Sequence, residues 1–285
     1  LIGALLSSTP PFQNAMAMDA NRCGIPVVYG FCRGVGSVSY AAAVLLLGFV
    51  LERHAPTLLL PVFAALTACG LLAMSGFRLP ERPDEAADRP AEHRSIAAVL
   101  RSHPRFALTL LGCMFFFLTH TISNTYMNAL VGKAGGTASA VGTSLAISAV
   151  LELPAMTLVS RLQKRFSPGF FLRFAAGAEV VKFLIFYLAR SMPLIYLGHC
   201  MQFFQFAVYA PATVYYVAAA LPERDQLKGQ SLIYVAGSGL GGALGNLLGG
   251  RLLDRSGIQA ALLLGTVSAA ASLLTFCLST REDSR

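Results

Sequence analysis

Eight runs of about twenty or more mostly apolar residues follow one another along this 285-residue chain, with a weaker ninth at the front. At 1.5 Å per residue, a helix needs about 20 such residues to cross the hydrocarbon core of a bilayer. The runs lie at about 27–51, 57–77, 105–131, 138–160, 170–189, 193–220, 229–250 and 257–279. The front one, about 1–18, is a poor span because it carries Ser7, Ser8, Thr9, Pro10, Pro11, Gln13 and Asn14. All are too long to be the alternating ten-residue strands of a membrane barrel. Charged residues make up 13% of the chain and hydrophobic ones 55%, with a mean hydropathy of +0.62. A soluble domain carries about 25% charge, so a soluble enzyme is excluded, and so is a disordered chain. The expected fold class is an all-α membrane protein with about nine transmembrane helices.

One segment interrupts this rhythm. Residues 79–104 hold Glu81, Arg82, Asp84, Glu85, Asp88, Arg89, Glu92 and Arg94. A long, polar, proline-bearing stretch among short loops reads as a linker, with three spans before it (residues 1–78) and six after it (105–280). Placing that linker in the cytoplasm puts sixteen Lys and Arg residues on the cytoplasmic side and five outside (Arg53, Lys133, Arg190, Arg251, Arg255), with Lys182 inside a span. The positive-inside rule then sets the C-terminus in the cytoplasm, in an inner-membrane, multi-pass protein. The same loop placement explains the net charge of +8 better than nucleic-acid binding does. Six scattered cysteines (Cys23, Cys32, Cys69, Cys113, Cys200, Cys277), with no CxxC and no Cys/His cluster, support neither a metal site nor a disulfide framework. No cofactor is expected.

Three ionisable residues fall near the middle of spans: Glu152, Glu179 and Lys182. On insertion scales a charge at the bilayer centre costs about 2.5–3.5 kcal/mol, so such residues usually face a cavity or a partner. The competing reading is a buried ion pair that only fixes packing. Glu179 and Lys182 are three apart and share a helix face, where they partly neutralise each other. Glu152 has no opposite charge near it in its own helix, so its carboxylate must find another span, hold a proton or bind a ligand. Pro154 follows two residues later, cannot donate to the carbonyl of Val150, and is expected to kink the helix beside the acid.

Polar stripes accompany the charges: His120, Asn124 and Asn128 on the 105–131 span, and Gln202 and Gln205 on the 193–220 span. They either line a cavity or form interhelical hydrogen bonds, worth about 0.6 kcal/mol each on average. His120 fits a packing role as well as proton handling. In the 229–250 span, Gly237-Ser238-Gly239-Leu240-Gly241-Gly242 spells G-x-G-x-x-G, but a dinucleotide site needs a preceding strand and a βαβ unit. The better reading is a ridge of Gly237, Gly241, Gly245 and Gly249 that lets two helix backbones approach closely.

Two stretches resemble a known family. Tyr29-Gly30-Phe31-Cys32-Arg33-Gly34-Val35-Gly36-Ser37 is similar to the Y-G-x-x-R-x-x-G-S that opens the fifth span of one branch of the major facilitator superfamily. Leu151-Glu152-Leu153-Pro154 is similar to the E-x-P of its eighth span. That branch contains lactose permease, the nucleoside–proton symporters and the phenylpropionate permease-like proteins. Gln230 with the glycine ridge, and the Gly249–Gly257 segment, add to the likeness. The resemblance implies a twelve-span fold reduced to about nine. Residues 1–18 would be the fourth span, the first three would be absent, and 1–78 would be the remnant of an N-terminal bundle.

The resemblance also implies roles. Glu152 stands where the branch binds sugar and couples protons, and Arg33 where it binds substrate. Lys182 stands where the ninth span usually has an arginine, so the charge is kept but not the bidentate fork. Gln202 and Gln205 occupy positions of a proton-coupling His and Glu and cannot titrate, which leaves Glu152 or Glu179 for the proton. Asn14 falls where the fourth span often has an acid.

The leading functional reading is a secondary transporter of a small organic solute that works by alternating access, with a proton as symported partner. Its midplane site would hold Glu152, Lys182, Glu179, Arg33, Asn124, His120, Gln202 and Gln205. The chain would be a monomer in the lipid bilayer, with no nucleic-acid partner. Oligosaccharide, nucleoside and aromatic acid all remain open as solutes. The alternative is a transport-inactive fragment of such a protein. An enzyme is not expected, because the chain shows no catalytic constellation near a membrane face.

Overall fold

The computed structural model of the chain describes residues 13–14, 16–21, 23–51, 56–76 and 95–281. Most of the weak first span, residues 79–94 of the expected linker, and the basic residues Arg22, Arg53, Arg78, Arg82, Arg89, Arg94 and Arg285 used in the orientation reading lie outside them; the remainder of that expected linker, 95–104, carries the short helix Ile96–Ser102. Residues 13–14 and 16–21 are helical. Every regular element among the described residues is a helix: α1 Tyr29–Leu51, α2 Leu59–Ser75, α3 Ile96–Ser102, α4 Pro104–Thr125, α5 Met127–Lys133, α6 Ala138–Leu162, α7 Pro168–Leu188, α8 Met192–Cys200, α9 Phe206–Ala220, α10 Glu223–Tyr234, α11 Gly242–Ser256 and α12 Ile258–Ser279. Among the described residues, five stretches are long and apolar enough to cross a membrane: Pro104–Thr125, Ala140–Leu162, Met192–Ala220, Glu223–Ser256 and Ile258–Ser279.

The helix starts follow local chemistry. Ser95 and Ser167 accept from the backbone N–H groups of Ala98 and Phe170, each at 3.2 Å, and so satisfy orphan donors of α3 and α7. Pro104 and Pro168 sit in the first turn, where a missing N–H costs nothing. Gly257 separates α11 from α12 at φ +76°, a conformation that favours glycine.

Three expected spans are less regular than their apolar runs implied. The 105–131 run breaks at Tyr126, whose hydroxyl donates to the carbonyl of Asn246 at 2.5 Å. Asn128 therefore lies on α5 and is exposed, so the polar stripe ends at Asn124. The 193–220 run is divided by a 3-10 turn, Met201–Phe203, and by Gln205, whose backbone (φ −101°, ψ −92°) is not helical. The 229–250 run is part of a longer helical stretch, Glu223–Ser256, that passes through a π-helical turn at Val235–Gly241. By contrast, α6 continues as one element past Pro154.

The core sits where α12 and the π turn close on α4. Phe116 and Tyr209 stack at 3.9 Å beside buried Phe106 and Phe276. The glycine ridge packs as its spacing implies. A Cβ at Gly241 would stand 2.3 Å from the carbonyl oxygen of Met114, and one at Gly245 2.6 Å from that of Leu118. Glycine also governs a second crossing, between α1 and α6. A Cβ at Gly30 would stand 2.0 Å from the Met156 carbonyl oxygen, and one at Gly34 2.6 Å from the Leu153 Cα. This second crossing positions the site, because it brings α1 against α6, two helices far apart in the chain.

Candidate functional site

Four side chains on four different segments form one continuous hydrogen-bonded chain. Lys182 on α7 donates from Nζ to Gln202 Oε1 at 3.1 Å, and Gln202 Nε2 donates to Glu152 Oε1 at 3.0 Å. The hydroxyl of Ser37, on α1, donates to the other carboxylate oxygen of Glu152. The direction is fixed throughout: an ammonium and a hydroxyl can only donate to these acceptors, so Gln202 must present its oxygen to Lys182 and its amide N–H to Glu152. Glu152 thus finds its partners on other helices, as a lone acid in its own helix must. The α1–α6 crossing is held further by the N–H of Gly30, which donates to Ser160 Oγ at 3.0 Å.

Beside Glu152 lies a cavity of about 370 Å³. Five of the residues singled out in the sequence meet on its walls: Arg33, His120, Asn124, Glu152 and Gln202. The imidazole of His120 stacks on Phe206 with ring centroids 4.4 Å apart, and its Nε2 lies 3.0 Å from the amide nitrogen of Asn124. No described residue hydrogen-bonds or ion-pairs with Arg33. A second cavity, about 620 Å³, is lined by Asn14, Tyr29, Cys32, Tyr209 and Tyr234 among others. The two share Arg33, Gly36 and Phe206, which together form the wall between them. A third, about 710 Å³, lies away from the acid, among Pro104, Pro168, Ala220 and Ser279.

The other three sequence-derived site residues do not reach this surface. Lys182 is buried behind Gln202, with its ammonium 5.7 Å from the centre of the Phe186 ring. Glu179 and Gln205 are fully buried, and their side-chain polar atoms have no hydrogen-bond partner among the described residues. Lys182 lies in the electrostatic field of both Glu179 and Glu152, but its hydrogen bond goes to Gln202.

The structure adds residues that sequence reasoning passed over. Ser37 stood inside the quoted 29–37 signature, and Tyr40 lies three residues further along α1; both line the smaller cavity. Ser148 sits four residues before Glu152 on the same face of α6, so helical spacing from the acid would have found it. It pairs with buried His199, whose Nδ1 lies 3.0 Å from its hydroxyl. Among the described residues, no three His, Cys, Asp or Glu side chains stand together as a metal site would require.

Comparison with known proteins places the arrangement. Residues 11–264 match the family model described as the MFS_1 like family. A maltose permease of Geobacillus stearothermophilus is 27% identical over 99% of this chain and 71% of its own length. An uncharacterized transporter of Bacillus subtilis (strain 168), YwbF, is 23% identical over 90% of this chain and 64% of its own length. Among solved structures, the major facilitator superfamily transporter FucP in its outward conformation superposes with a TM-score of 0.63 at 16% identity, covering 98% of this chain and 73% of that one. A variant of the E. coli fucose:proton symporter FucP gives 0.65 at 15% identity, over 98% and 74%. The chain belongs to the MFS_1 like family. It is a membrane transporter, not an enzyme.

Proposed function

We propose that this transporter moves a small, neutral, hydroxyl-rich solute together with a proton, by alternating access across the inner membrane, with its C-terminus in the cytoplasm. The observation that carries this reading is the chain Lys182–Gln202–Glu152–Ser37, whose last three members line a polar cavity and which crosses from α6 to α1. Glu152 in its ionised form accepts from two donors at once. A proton on Oε1 would set donor against donor at Gln202 Nε2, whereas a proton on Oε2 would reverse the bond to the Ser37 hydroxyl; either way the contact tying α1 to α6 loses its charge assistance and weakens. Proton uptake and the separation of two parts of the molecule would thereby become one event.

The chemistry of the smaller cavity supports the solute class. Arg33, His120, Asn124 and Ser148 supply hydrogen-bonding groups, while Tyr40 and Phe206 supply aromatic surface. That combination suits a sugar ring, with hydroxyls at its edge and C–H groups on its face. The relatives named for maltose and fucose point the same way. We propose further that the chain acts as a monomer, divided into two bundles by the polar segment 79–104.

The test is uptake into vesicles. The chain, reconstituted and given labelled mono- and disaccharides, is expected to accumulate one of them only under an inward proton gradient, and to lose that accumulation when a protonophore is added. Sugar movement that merely equilibrates, indifferent to the gradient, would remove the proton from the proposal.

A second measurement isolates Ser37. Its hydrogen bond to a carboxylate is of the charge-assisted kind, worth about 1.5–3 kcal/mol, so losing it shifts a two-state equilibrium by roughly ten- to a hundred-fold at most. Ser37→Ala is expected to change the initial rate of gradient-driven uptake by up to that factor. An unchanged rate, with protein content matched, would show that the bond does not hold α1 against α6.

A further inference from the structure

Away from the acid, a cavity of about 270 Å³ opens on the outside of the bundle between α6, α7 and the broken segment ahead of α9. Its floor is Ala155, Val159, Phe171 and Val208, all buried. Its rim is Leu158, Phe166, Phe170, Phe174 and Phe204, each between 39% and 44% exposed. No polar side chain lines it. The rim rings form a column: Phe166 to Phe170 at 4.9 Å, Phe170 to Phe174 at 6.3 Å, and Phe174 to Phe204 at 6.3 Å. The column has two unlike ends. At the turn between α6 and α7 it begins among Arg161, Lys164 and Arg165, all exposed and none engaged with a described residue. From there it runs inward along α7 to the 3-10 turn, where the chain leaves α-helical geometry and turns out Phe204.

An exposed slot with a wholly apolar lining, in a protein surrounded by lipid, fits a hydrocarbon chain. Three uncommitted cations at one end fit an anion. No acidic residue lies between Glu152 and Glu179 to oppose them. We propose that this slot is a binding site for one acyl chain of an anionic glycerophospholipid. The chain lies along the Phe166–Phe170–Phe174–Phe204 column, and the phosphate rests on Lys164 and Arg165. The site is separate from the solute cavity, with which it shares no lining residue.

The protein has no tryptophan, so a single introduced indole is a clean reporter. Phe170→Trp and Phe174→Trp place it in the column at partly exposed positions that tolerate a larger ring. Leu263→Trp, on the exposed face of α12, places it against ordinary bilayer lipid. Each variant is reconstituted in phosphatidylcholine vesicles containing a small fraction of phosphatidylglycerol with dibrominated acyl chains, which quench indole on contact. The column reporters are expected to be quenched as if the anionic lipid were enriched around them roughly thirtyfold, the scale set by two basic side chains at a membrane surface. The Leu263→Trp reporter is expected to follow the bulk mole fraction. Adding Lys164→Gln and Arg165→Gln is expected to return the column reporters to the bulk value, as is supplying the bromines on phosphatidylcholine instead. Quenching of both column reporters in proportion to mole fraction would overturn the proposal. So would enrichment that survives loss of the two cations or that makes no distinction between headgroups.

Discussion

Glu152→Gln is expected to abolish uphill accumulation of solute while leaving the protein folded, so that the ratio of internal to external solute falls to unity under a proton gradient. The substitution keeps the size of the side chain and removes its charge and its proton. An amide at 152 can keep both contacts: its oxygen accepts from Gln202 Nε2 while its N–H donates to the hydroxyl of Ser37, which can also accept. The bond to Ser37 is then reversed and loses its charge assistance, and no exchangeable proton remains at the site. Glu152→Asp keeps the charge and the acceptors on a shorter arm and is expected to retain part of the accumulation. Vesicle uptake at fixed gradient, with protein content matched by quantification, decides the matter. Full accumulation by Glu152→Gln would remove this carboxylate from the coupling.

Gly241→Leu is expected to lower the amount of folded protein in the membrane several-fold, whereas Gly177→Leu leaves it near normal. Both replace a helical glycine with the same side chain. A Cβ at position 241 would meet backbone, the Met114 carbonyl oxygen at 2.3 Å, while one at 177 meets nothing within 4 Å. A clash with backbone cannot be relieved by a rotamer change, so α4 must move away from the π turn. Overpacking of this kind costs about 1–3 kcal/mol, occasionally more, and changes of about 1–2 kcal/mol alter cellular abundance several-fold. Fluorescence-detected size exclusion on the two variants separates a packing role from a general intolerance of leucine. Equal abundance would show that this seam bears no weight.

Much of this was legible in the chain itself, for reasons that differ by residue. The runs of apolar residues placed the helices because lipid leaves the backbone no alternative to internal hydrogen bonding. The four-residue spacing of Gly237, Gly241, Gly245 and Gly249 announced a close backbone contact because small size is the only property those positions share. Glu152, His120, Asn124 and Gln202 were legible because polar groups in a span need a reason, whereas Arg33 was singled out only through the family resemblance. Glu179 and Gln205 satisfied the same criterion and yet stand apart, since polarity within a span says nothing of which way a side chain faces. The breaks at Tyr126 and at Met201–Gln205 were illegible, because no Pro or Gly marks either; the first accompanies a tertiary bond from Tyr126 to Asn246. Ser37 was overlooked as a hydrogen-bond donor because a serine in a span is ordinary until its partner is known. The pairing of Lys182 also differed. Three-residue spacing put it beside Glu179, but the ammonium hydrogen-bonds to Gln202, one helix away.

The π turn at Val235–Gly241 has a geometrical corollary for the helix that follows it. In an α-helix four residues overshoot a full revolution by about 40°, so a stripe repeated every fourth position precesses around the cylinder. Over three such steps it would wander by about 120° and lose its neighbour. A π turn closes on a wider ring and needs more than four residues per revolution, so four of them fall short. The step from Gly237 to Gly241 therefore precesses backwards and the steps to Gly245 and Gly249 forwards. The distortion acts as a phase correction, keeping a straight seam on a curved surface, so that Phe117, Met114 and Leu118 on one flank of α4, and Tyr126 just past its end, can all be met by bare backbone.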